Sequence, residues 1–402
     1  MLRTEQARGA QSFVDSIGVN IHLSYHDGPY GNFPAIESLL KNLGVRHVRD
    51  GVSSGQTDVC REDRALNAAG MRFTYITPAK PTPQILTDWA NCVGPSIEAY
   101  EGLNEYDISH PASDADWAAT DQIVQKTLYN SVKGTPALAH LTVVAPSLTS
   151  PQAYRSVGDL SSYVDAGNMH DYSAGHDPGT PGWGANGYGS IPYNISAARI
   201  VDGNKPIEAT ETGFATEVTH TGLDDATQAK YVPRLFLEHF NAGVARTYEY
   251  ELVDEGGPPF GHFGLVTGAL TPKPAYTALA SLISLLRDDG RGADAASGTL
   301  RYALGGDTAA VHHTLLAKRD GQLYLLLWVE RMGFNSDTRA RLSVRSQDVT
   351  LQLAGPVSSA TLYRYDDDEH LRSTRLPTGP VLHLTVTDQV SVVELTPAGR
   401  PA

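Results

Sequence analysis

Eight short apolar segments, separated by stretches with helical periodicity, follow one another through the first 290 residues of this 402-residue chain. The candidate strands are residues 16–25, 45–51, 72–79, 97–105, 141–148, 166–173, 205–214 and 245–254. Eight strand–helix alternations over about 275 residues are typical of a (β/α)8 TIM barrel. A doubly wound open sheet is the competing arrangement. It would carry a G-x-G-x-x-G turn after its first strand, and NIHLSYHDGPYG at 20–31 does not match that pattern. The sequence therefore predicts a barrel over residues 15–290.

Apolar residues spaced at i, i+3, i+4 and i+7 predict buried helical faces between these strands. The faces consist of Ile36, Leu39, Leu40 and Leu43; of Trp117, Val124, Leu128 and Val132; of Ala229, Val232, Phe236 and Phe240; and of Ala275, Leu279, Leu282, Ile283 and Leu286. Asp114 is the predicted N-cap of the second helix.

The pattern changes after residue 290 to strand-like segments with short, turn-rich gaps. The segments are residues 299–304, 309–318, 322–330, 340–346, 349–355, 360–366 and 381–397. They predict an antiparallel β-sandwich over residues 295–402. A segment rich in glycine, aspartate and alanine, residues 288–298, is the expected linker. Residues 1–14 precede the barrel and are free to pack on the sandwich.

The chain has a formal net charge of −14. Nucleic acids and anionic membranes both require clustered Lys and Arg, so neither is an expected partner. No apolar run approaches the roughly 20 residues needed to span a bilayer. The opening residues MLRTEQARGAQSF lack the apolar core of a signal peptide. A cytoplasmic protein and a trimmed mature form both fit, and we favour a mature secreted or periplasmic protein.

Two cysteines, Cys60 and Cys92, are present, and neither has a C-x-x-C partner. That spacing excludes zinc ribbons and thioredoxin-like redox sites. One disulfide between them and two separate buried thiols are both compatible with the sequence, and we favour the separate thiols.

Functional residues of a TIM barrel lie at the C-terminal ends of its strands. The polar residues at the predicted ends are His22 and Tyr25, Arg49 and Asp50, Asn104 and Glu105, His170 and Tyr172, Glu211, and Tyr250 and Glu251. Glu105 ends strand four and Glu211 ends strand seven, so both are expected to project into one cleft. Glycoside hydrolysis needs two carboxyl groups, one held protonated and one ionised. A separation of roughly 5 Å would let one of them attack the sugar with retention of configuration.

The motif GLNE at 102–105 and the motif KPIEATETG at 205–213 resemble the paired signatures of clan A glycoside hydrolases. The resemblance implies a retaining enzyme in which Glu105 is the general acid/base and Glu211 is the nucleophile. VRDG at 48–51 resembles the segment that places an arginine, here Arg49, beside the nucleophile. HDY at 170–172 resembles the clan's His-x-Tyr on strand six, and TPKPAYTAL at 271–279 resembles the start of its eighth helix. Together these motifs span residues 15–287.

Strand eight departs from the clan, because RTYEYELVDE at 246–255 has no tryptophan to form the floor of the catalytic subsite. Tyr250 is expected to take that place, and Glu251 to bond a sugar hydroxyl. His22, His170 and Tyr172 are further candidates for substrate binding. The glycine- and proline-rich segment 173–194 carries Trp183, whose ring is a candidate stacking surface for sugar.

Two of these candidates also have purely structural interpretations. Arg49 could pair with Asp50 or Glu101 in a structural ion pair, and His170 could be a core histidine. Glu98, Glu101, Glu208 and Glu249 lie on the same strands and are interpreted mainly as ion-pair partners or solvated strand ends.

We therefore expect a retaining O-glycoside hydrolase that acts on a carbohydrate and needs no metal or organic cofactor. Asn104 is expected to hold the 2-hydroxyl of the reacting sugar. A transglycosylase would use the same residues with a sugar in place of water. A non-catalytic carbohydrate-binding protein on this fold is the third reading, and the intact pair of glutamates argues against it.

Overall fold

A computed structural model describes residues 2–217, 219, 221–257, 261–288 and 298–398. Its centre is a parallel eight-stranded sheet. The strands are β3 (Ile17–Asn20), β4 (His47–Gly51), β5 (Arg72–Ile76), β6 (Ile97–Glu101), β7 (Thr142–Val144), β8 (Gly167–His170), β9 (Ile207–Thr212) and β10 (Arg246–Glu249). Sequence neighbours pair from β3 to β7 and from β8 to β10, and β10 pairs with β3. A parallel bridge between Val144 and Ala166 joins the two remaining edges. The predicted TIM barrel is confirmed.

Ten α-helices are present in the described part of the chain. They are α1 (Ala10–Asp15), α2 (Phe33–Leu43), α3 (Thr57–Ala68), α4 (Pro83–Val93), α5 (Tyr106–Ser109), α6 (Trp117–Gly134), α7 (Pro151–Val157), α8 (Ile191–Asp202), α9 (Asp225–Ala242) and α10 (Pro274–Leu286). Short 3₁₀ helices span Pro29–Gly31, Ser161–Tyr163 and Ala185–Gly187. The predicted stripes of α2, α9 and α10 are buried throughout. No helix of the described residues is long and apolar enough to cross a membrane.

The start of α6 differs from the sequence-based prediction. Asp116, not Asp114, occupies the N-cap position. The carboxylate of Asp114 instead accepts a hydrogen bond from Tyr106 Oη at 2.9 Å, which ties the loop to α5. Trp117 is only partly buried, whereas Val124, Leu128 and Val132 face the barrel.

Two sheets, antiparallel except for one pair of strands, follow the barrel and enclose a second apolar core. Their strands are β1 (Arg3–Gln6), β2 (Arg8–Gly9), β11 (Thr299–Gly306), β12 (Val311–Ala317), β13 (Leu323–Val329), β16 (Gln347–Leu353), β17 (Val357–Tyr365), β18 (Leu371–Arg375), β19 (Val381–Val386) and β20 (Ser391–Pro397), and a separate ribbon is formed by β14 (Phe334–Asn335) and β15 (Ala340–Arg341). The N-terminal strand β1 pairs with β11, and β2 pairs with β12. Residues before the barrel are therefore part of the sandwich sheets.

Three details of the sandwich prediction are corrected. The run 381–397 is two strands, β19 and β20, separated by a turn; β18 was not anticipated; and only two residues of 340–346 are strand. Most of the expected linker, residues 289–297, lies outside the described residues. On the barrel side, Arg234 of α9 forms a buried ion pair with Glu330, with Nε 2.9 Å from Oε2. This ion pair fastens the sandwich to the barrel.

Cys60 and Cys92 form a disulfide, with their Cα atoms 5.4 Å apart. The prediction that Cys60 and Cys92 are two separate buried thiols is therefore wrong. The bridge joins α3 to α4, two helices that pack side by side on the outside of the barrel. Helix contacts of this kind depend on the tertiary fold, so the residue spacing in the sequence did not reveal the pairing.

Candidate active site

Glu105 and Glu211 face each other at the C-terminal end of the barrel. Glu211 lies on β9, one residue before the strand ends. Glu105 lies four residues after β6 and precedes α5, with a left-handed φ of 45°. An oxygen of each carboxyl group and a ring nitrogen of His170 all lie within 4.8 Å of one another. The two acids, 106 positions apart in sequence, thus share one small volume.

Arg49 on β4 connects the nucleophile candidate to the wall of the barrel. Its Nη1 donates to Glu211 Oε1 at 2.7 Å and to Asn20 Oδ1 at 2.9 Å. Its Nε and Nη2 donate to the two oxygens of Glu101 at 2.6 and 2.8 Å. Both interpretations of Arg49 therefore hold, since one guanidinium forms a structural pair with Glu101 and also contacts Glu211. The planar fork of arginine makes this double contact possible.

Glu211 is almost fully buried, yet it is held in the ionised form. Burial alone would raise the pKa of Glu211, but the charges of His170 and Arg49 and hydrogen bonds from Arg49 and Tyr172 lower it below the ordinary value. Tyr172 Oη donates to Glu211 Oε2 at 2.9 Å. Both carboxylate oxygens thus have a donor, which fixes the orientation of the side chain.

His170 on β8 lies between the two acids. Its Nδ1 is 2.7 Å from Glu105 Oε1 and 3.5 Å from Glu211 Oε2. Its Nε2 is 3.1 Å from Thr210 Oγ1. A contact of 2.7 Å between a nitrogen and a carboxyl oxygen requires a proton between them. His170 is therefore a partner of the acids, and no sugar contact is needed to explain its position.

Asn104 is oriented by its side-chain oxygen. Arg49 Nη2 donates to Asn104 Oδ1 at 2.6 Å, and Ser147 Oγ donates to the same atom at 3.2 Å. Ser147 Oγ also accepts a hydrogen bond from the Glu105 amide at 3.0 Å. Among the described residues nothing bonds the Asn104 amide nitrogen, so its two N–H groups are available to a substrate hydroxyl.

A cavity of about 510 Å³ opens above the two glutamates. Besides Glu105 and Glu211 it is lined by Ile108, Thr149, Tyr172, Ala174, Gly175, Gly213, Phe214, Ala215, Thr221, Tyr250 and Phe263. The ring of Phe263 packs edge-on against Tyr172 and Tyr250, with centroids 5.6 and 5.8 Å away. Tyr250 thus forms part of the wall of a cavity whose volume is within the range of small-molecule sites.

Only two of the eight predicted substrate-binding residues, Tyr172 and Tyr250, are part of the cavity wall. Asn104, Arg49 and His170 lie beside the two glutamates without lining the cavity, and three others lie apart from it. Trp183 is 39% exposed and stacks on His176 within its own loop, with centroids 4.4 Å apart. Glu251 is fully buried, and burial together with the charges of Asp254 and Glu211 raises its pKa to about 9. His22 stacks on Tyr25 and faces Glu251. Trp183 therefore packs within its own loop, and His22 and Glu251 contact each other and residues next to them.

Several residues of the site were not predicted as site residues, although Glu101 was named as a possible ion-pair partner of Arg49. Glu101 is completely buried against Arg49, and Asn168 Nδ2 donates to it at 3.0 Å. Asn20 accepts from Arg49, and Phe263 lines the cavity. Alternation along the first strand places Asn20 two residues before His22, which is a signal that could have identified it. Phe263 lies outside every helix and strand of the described residues, and the sequence gives no such signal for it.

No protein-family model matches this sequence, and no curated protein matches it by sequence. The fold is similar to that of a family 39 glycoside hydrolase from Bacteroides cellulosilyticus WH2, at 15% identity and a TM-score of 0.66 over 96% of this chain and 82% of that one. A monomeric beta-xylosidase from Caulobacter crescentus CB15 aligns at 15% identity and a TM-score of 0.58, over 98% of both chains.

A GH51 alpha-L-arabinofuranosidase from Thermotoga petrophila RKU-1 aligns at 12% identity and a TM-score of 0.62, over 98% of this chain and all 100% of that one. At these identities the similarity is one of architecture. In each case it extends over nearly the whole described chain, barrel and sandwich together. The chain therefore has the fold of the clan A glycoside hydrolases that its motifs resemble.

Proposed function

We propose that the chain is a retaining O-glycoside hydrolase in which Glu211 is the nucleophile and Glu105 is the acid/base. One observation carries the proposal: oxygens of the two carboxyl groups lie within 4.8 Å of each other at the mouth of the barrel. Retaining enzymes place their two carboxyl groups about 5–5.5 Å apart, whereas inverting enzymes need about 6.5–9.5 Å to admit a water molecule. The spacing supports direct attack by one carboxylate.

The different surroundings of the two acids support the assignment of roles. Glu211 is held ionised by Arg49, Tyr172 and His170, as a nucleophile must be. Glu105 bonds neither Arg49 nor any other guanidinium in the described residues, and its Oε1 lies 2.7 Å from His170 Nδ1. A carboxyl group with a proton close by, beside an ionised neighbour, is suited to general acid catalysis.

The reaction then has two steps. A Glu211 oxygen attacks the anomeric carbon while the Glu105 proton passes to the glycosidic oxygen, and the bond between that carbon and the leaving oxygen breaks. Water next attacks the glycosyl–enzyme ester and gives a proton to Glu105, which releases the sugar and restores Glu211. Asn104 is positioned to hold a hydroxyl of the reacting sugar through its amide N–H groups, and Tyr250 forms one wall.

The names of the structural neighbours, beta-xylosidase and alpha-L-arabinofuranosidase, suggest pentosides as the first substrates to test. An aryl β-D-xyloside and an aryl α-L-arabinofuranoside head the panel, followed by aryl hexosides and polysaccharides. Proton NMR of the first product formed should show the anomer of the starting glycoside. Release of the opposite anomer would contradict the proposal. A protein that bound sugars but hydrolysed no member of the panel would be the non-catalytic carbohydrate-binding protein instead.

Transglycosylation is the second candidate, because the same ester can be attacked by a sugar hydroxyl. The fold and the two acids do not separate the two outcomes. Product analysis with added acceptor sugar does, since a transglycosylase gives longer saccharides at the expense of free sugar. We also propose that the protein works outside the cytosol, because a disulfide between Cys60 and Cys92 is typical of oxidising compartments.

A further inference from the structure

A second cluster of titratable groups lies at the same end of the barrel, outside the cavity wall. His22 follows β3, and Glu251 and Glu255 follow β10, which pairs with β3. His22 Nε2 lies 3.4 Å from Glu251 Oε2 and 3.5 Å from Glu255 Oε1. One ligand atom of each residue lies within 4.8 Å of the other two. Closure of the barrel therefore brings three metal-ligating groups together.

The innermost groups of this cluster have no hydrogen-bond donor or acceptor among the described residues outside the cluster. No N–H or O–H group of the described residues donates to the buried oxygens of Glu251, and the buried Nε2 atom of His22 has no hydrogen bond. The Glu251 carboxyl group can bond that of Glu255, but only when one of the two is protonated. The Glu251 side chain has no exposed surface at all. Burying an unpartnered polar group is costly, and such groups are rare in native proteins. The arrangement indicates that something other than the protein completes it.

The distances fit a shared ion better than hydrogen bonds. Nitrogen–oxygen hydrogen bonds in proteins measure about 2.7–3.2 Å, and both contacts of His22 are longer than that. Ligand atoms about 2.0–2.1 Å from one zinc ion, separated by the tetrahedral angle, lie about 3.3–3.4 Å apart. The spacing of Nε2 from the two carboxylates matches that value.

Two comparable groups of two glutamates and a histidine occur in the described residues, and both differ in one respect. In the first, His170 bonds Glu105 at 2.7 Å and Arg49 neutralises Glu211. In the second, His312 bonds Glu238 at 2.6 Å. Arg234 neutralises Glu330, the other acid of that group. No Arg or Lys of the described chain forms an ion pair with Glu251 or Glu255. Lys273 acts on Glu251 only at longer range, because its ammonium group is paired with Asp254 at 2.7 Å.

We propose that His22, Glu251 and Glu255 bind one divalent cation of the zinc class. Imidazole and carboxylate together suit zinc, whereas calcium and magnesium favour shells made of oxygen alone. The side chains of His22 and Glu255 are 22% and 32% exposed, so the ion can enter from solvent. Three protein ligands leave a fourth position for water or a hydroxyl. The ion sits beside the cavity wall, because the ring of Tyr250 is 5.9 Å from that of His22.

The test measures zinc binding by the full chain without substrate. Its result therefore does not depend on whether the protein hydrolyses glycosides. Chelator-treated protein is equilibrated with zinc, freed of excess metal and analysed for zinc per chain. Its affinity is then measured by competition with a chromophoric chelator. Wild type should hold one zinc that Glu255→Gln and His22→Asn both lose or bind much more weakly. Loss of an outer partner alone costs about 10–100-fold in metal affinity, so loss of a ligand should cost at least that.

Glu62→Gln is the matched control. Glu62 also pairs with a histidine, His26, at 2.9 Å, but this is an ordinary hydrogen bond and no second carboxylate completes a trio. Zinc binding should be unchanged in the control, and circular dichroism should show that all variants are folded. Wild-type protein without bound zinc would overturn the proposal. So would folded Glu255→Gln and His22→Asn variants that bind zinc as tightly as wild type.

Discussion

His170 Nδ1 lies 2.7 Å from Glu105 Oε1 and 3.5 Å from Glu211 Oε2, so one imidazole contacts both candidate catalytic acids. The shorter contact holds a proton, and the longer one brings positive charge towards the nucleophile. The two acids are therefore electrostatically linked through a residue that need not touch the sugar. The pH–rate profile should be bell-shaped, because turnover requires an ionised nucleophile and a protonated acid at the same time.

Replacing His170 should move the acid limb of that profile. The charge of His170 is the largest influence that lowers the pKa of Glu211 against the effect of burial. In His170→Gln the pKa of Glu211 should rise, so the nucleophile becomes protonated at a higher pH than in wild type. The acid limb of kcat/KM against pH should shift to higher pH. An unchanged limb would show that His170 has only a packing role.

Tyr172→Phe should shift the same limb in the same direction, but less. The variant removes the hydrogen bond from Tyr172 Oη to Glu211 Oε2, the smallest of the contributions that lower the pKa of Glu211. A loss of kcat is also expected, up to the about 100–1,000-fold that removal of one preorganised active-site donor costs. Tyr100→Phe is the control, because it removes a buried bond of equal length, 2.9 Å, to the carbonyl of Leu86. A larger shift of the acid limb in Tyr172→Phe than in His170→Gln would contradict the expected order of their effects on the pKa of Glu211.

Asp121 on α6 should make the free energy of unfolding depend on pH. It is fully buried without a hydrogen-bond partner among the described residues, and burial, with a smaller effect of Asp107, raises its pKa to about 8. Between pH 5 and 7 the folded chain therefore keeps a proton that the unfolded chain has lost, and stability falls as pH rises. Asp121→Asn should remove a slope of about 1.4 kcal/mol per pH unit in that window. The free energy of unfolding of both proteins is measured in urea at pH 5, 6 and 7. The same dependence on pH in the two proteins would contradict the prediction.

The bridge between Cys60 and Cys92 should contribute measurably to stability. It closes a loop with a sequence separation of 32 residues. Loop-closure entropy of that size corresponds to about 3–4 kcal/mol. The double variant Cys60→Ala/Cys92→Ala should lose roughly that free energy of unfolding, and reductant should destabilise wild type but not the variant. Wild-type unfolding that is the same with and without reductant would show that no bridge forms.

The barrel was predictable because its strands carry a local signal. Each of the eight predicted segments contains one strand of the sheet, although every prediction except the second ran too far at its C-terminal end. Asn104 and Glu105 show why. The strand ends at Glu101, and the polar residues that follow point into the site from an irregular turn. A short apolar run gives the existence of a strand, while its end depends on pairing with neighbours that are remote in sequence.

A site residue was predictable only where a residue type suited to catalysis stood at the end of a predicted strand. Glu105, Glu211, Arg49, His170 and Tyr172 are brought together as the motifs implied. The interpretation of Glu101 and Glu249 as mainly ion-pair or solvated residues failed for Glu249, which is buried with its pKa raised well above the usual value by burial. The sequence alone does not show whether an acidic residue on a strand faces water or the core. Burial is a property of the assembled barrel.

Azide rescue tests the roles of Glu211 and Glu105 most directly. Glu105→Ala should still form the glycosyl–enzyme from an aryl glycoside with a good leaving group, because that group departs without a proton. Azide then attacks the ester, and the glycosyl azide should have retained configuration. Glu211→Ala has no nucleophile, so azide should attack the substrate itself and give the inverted azide. Proton NMR of the two products decides the matter. Azides of opposite configuration are the result we predict, and azides of the same configuration from both variants would contradict the account.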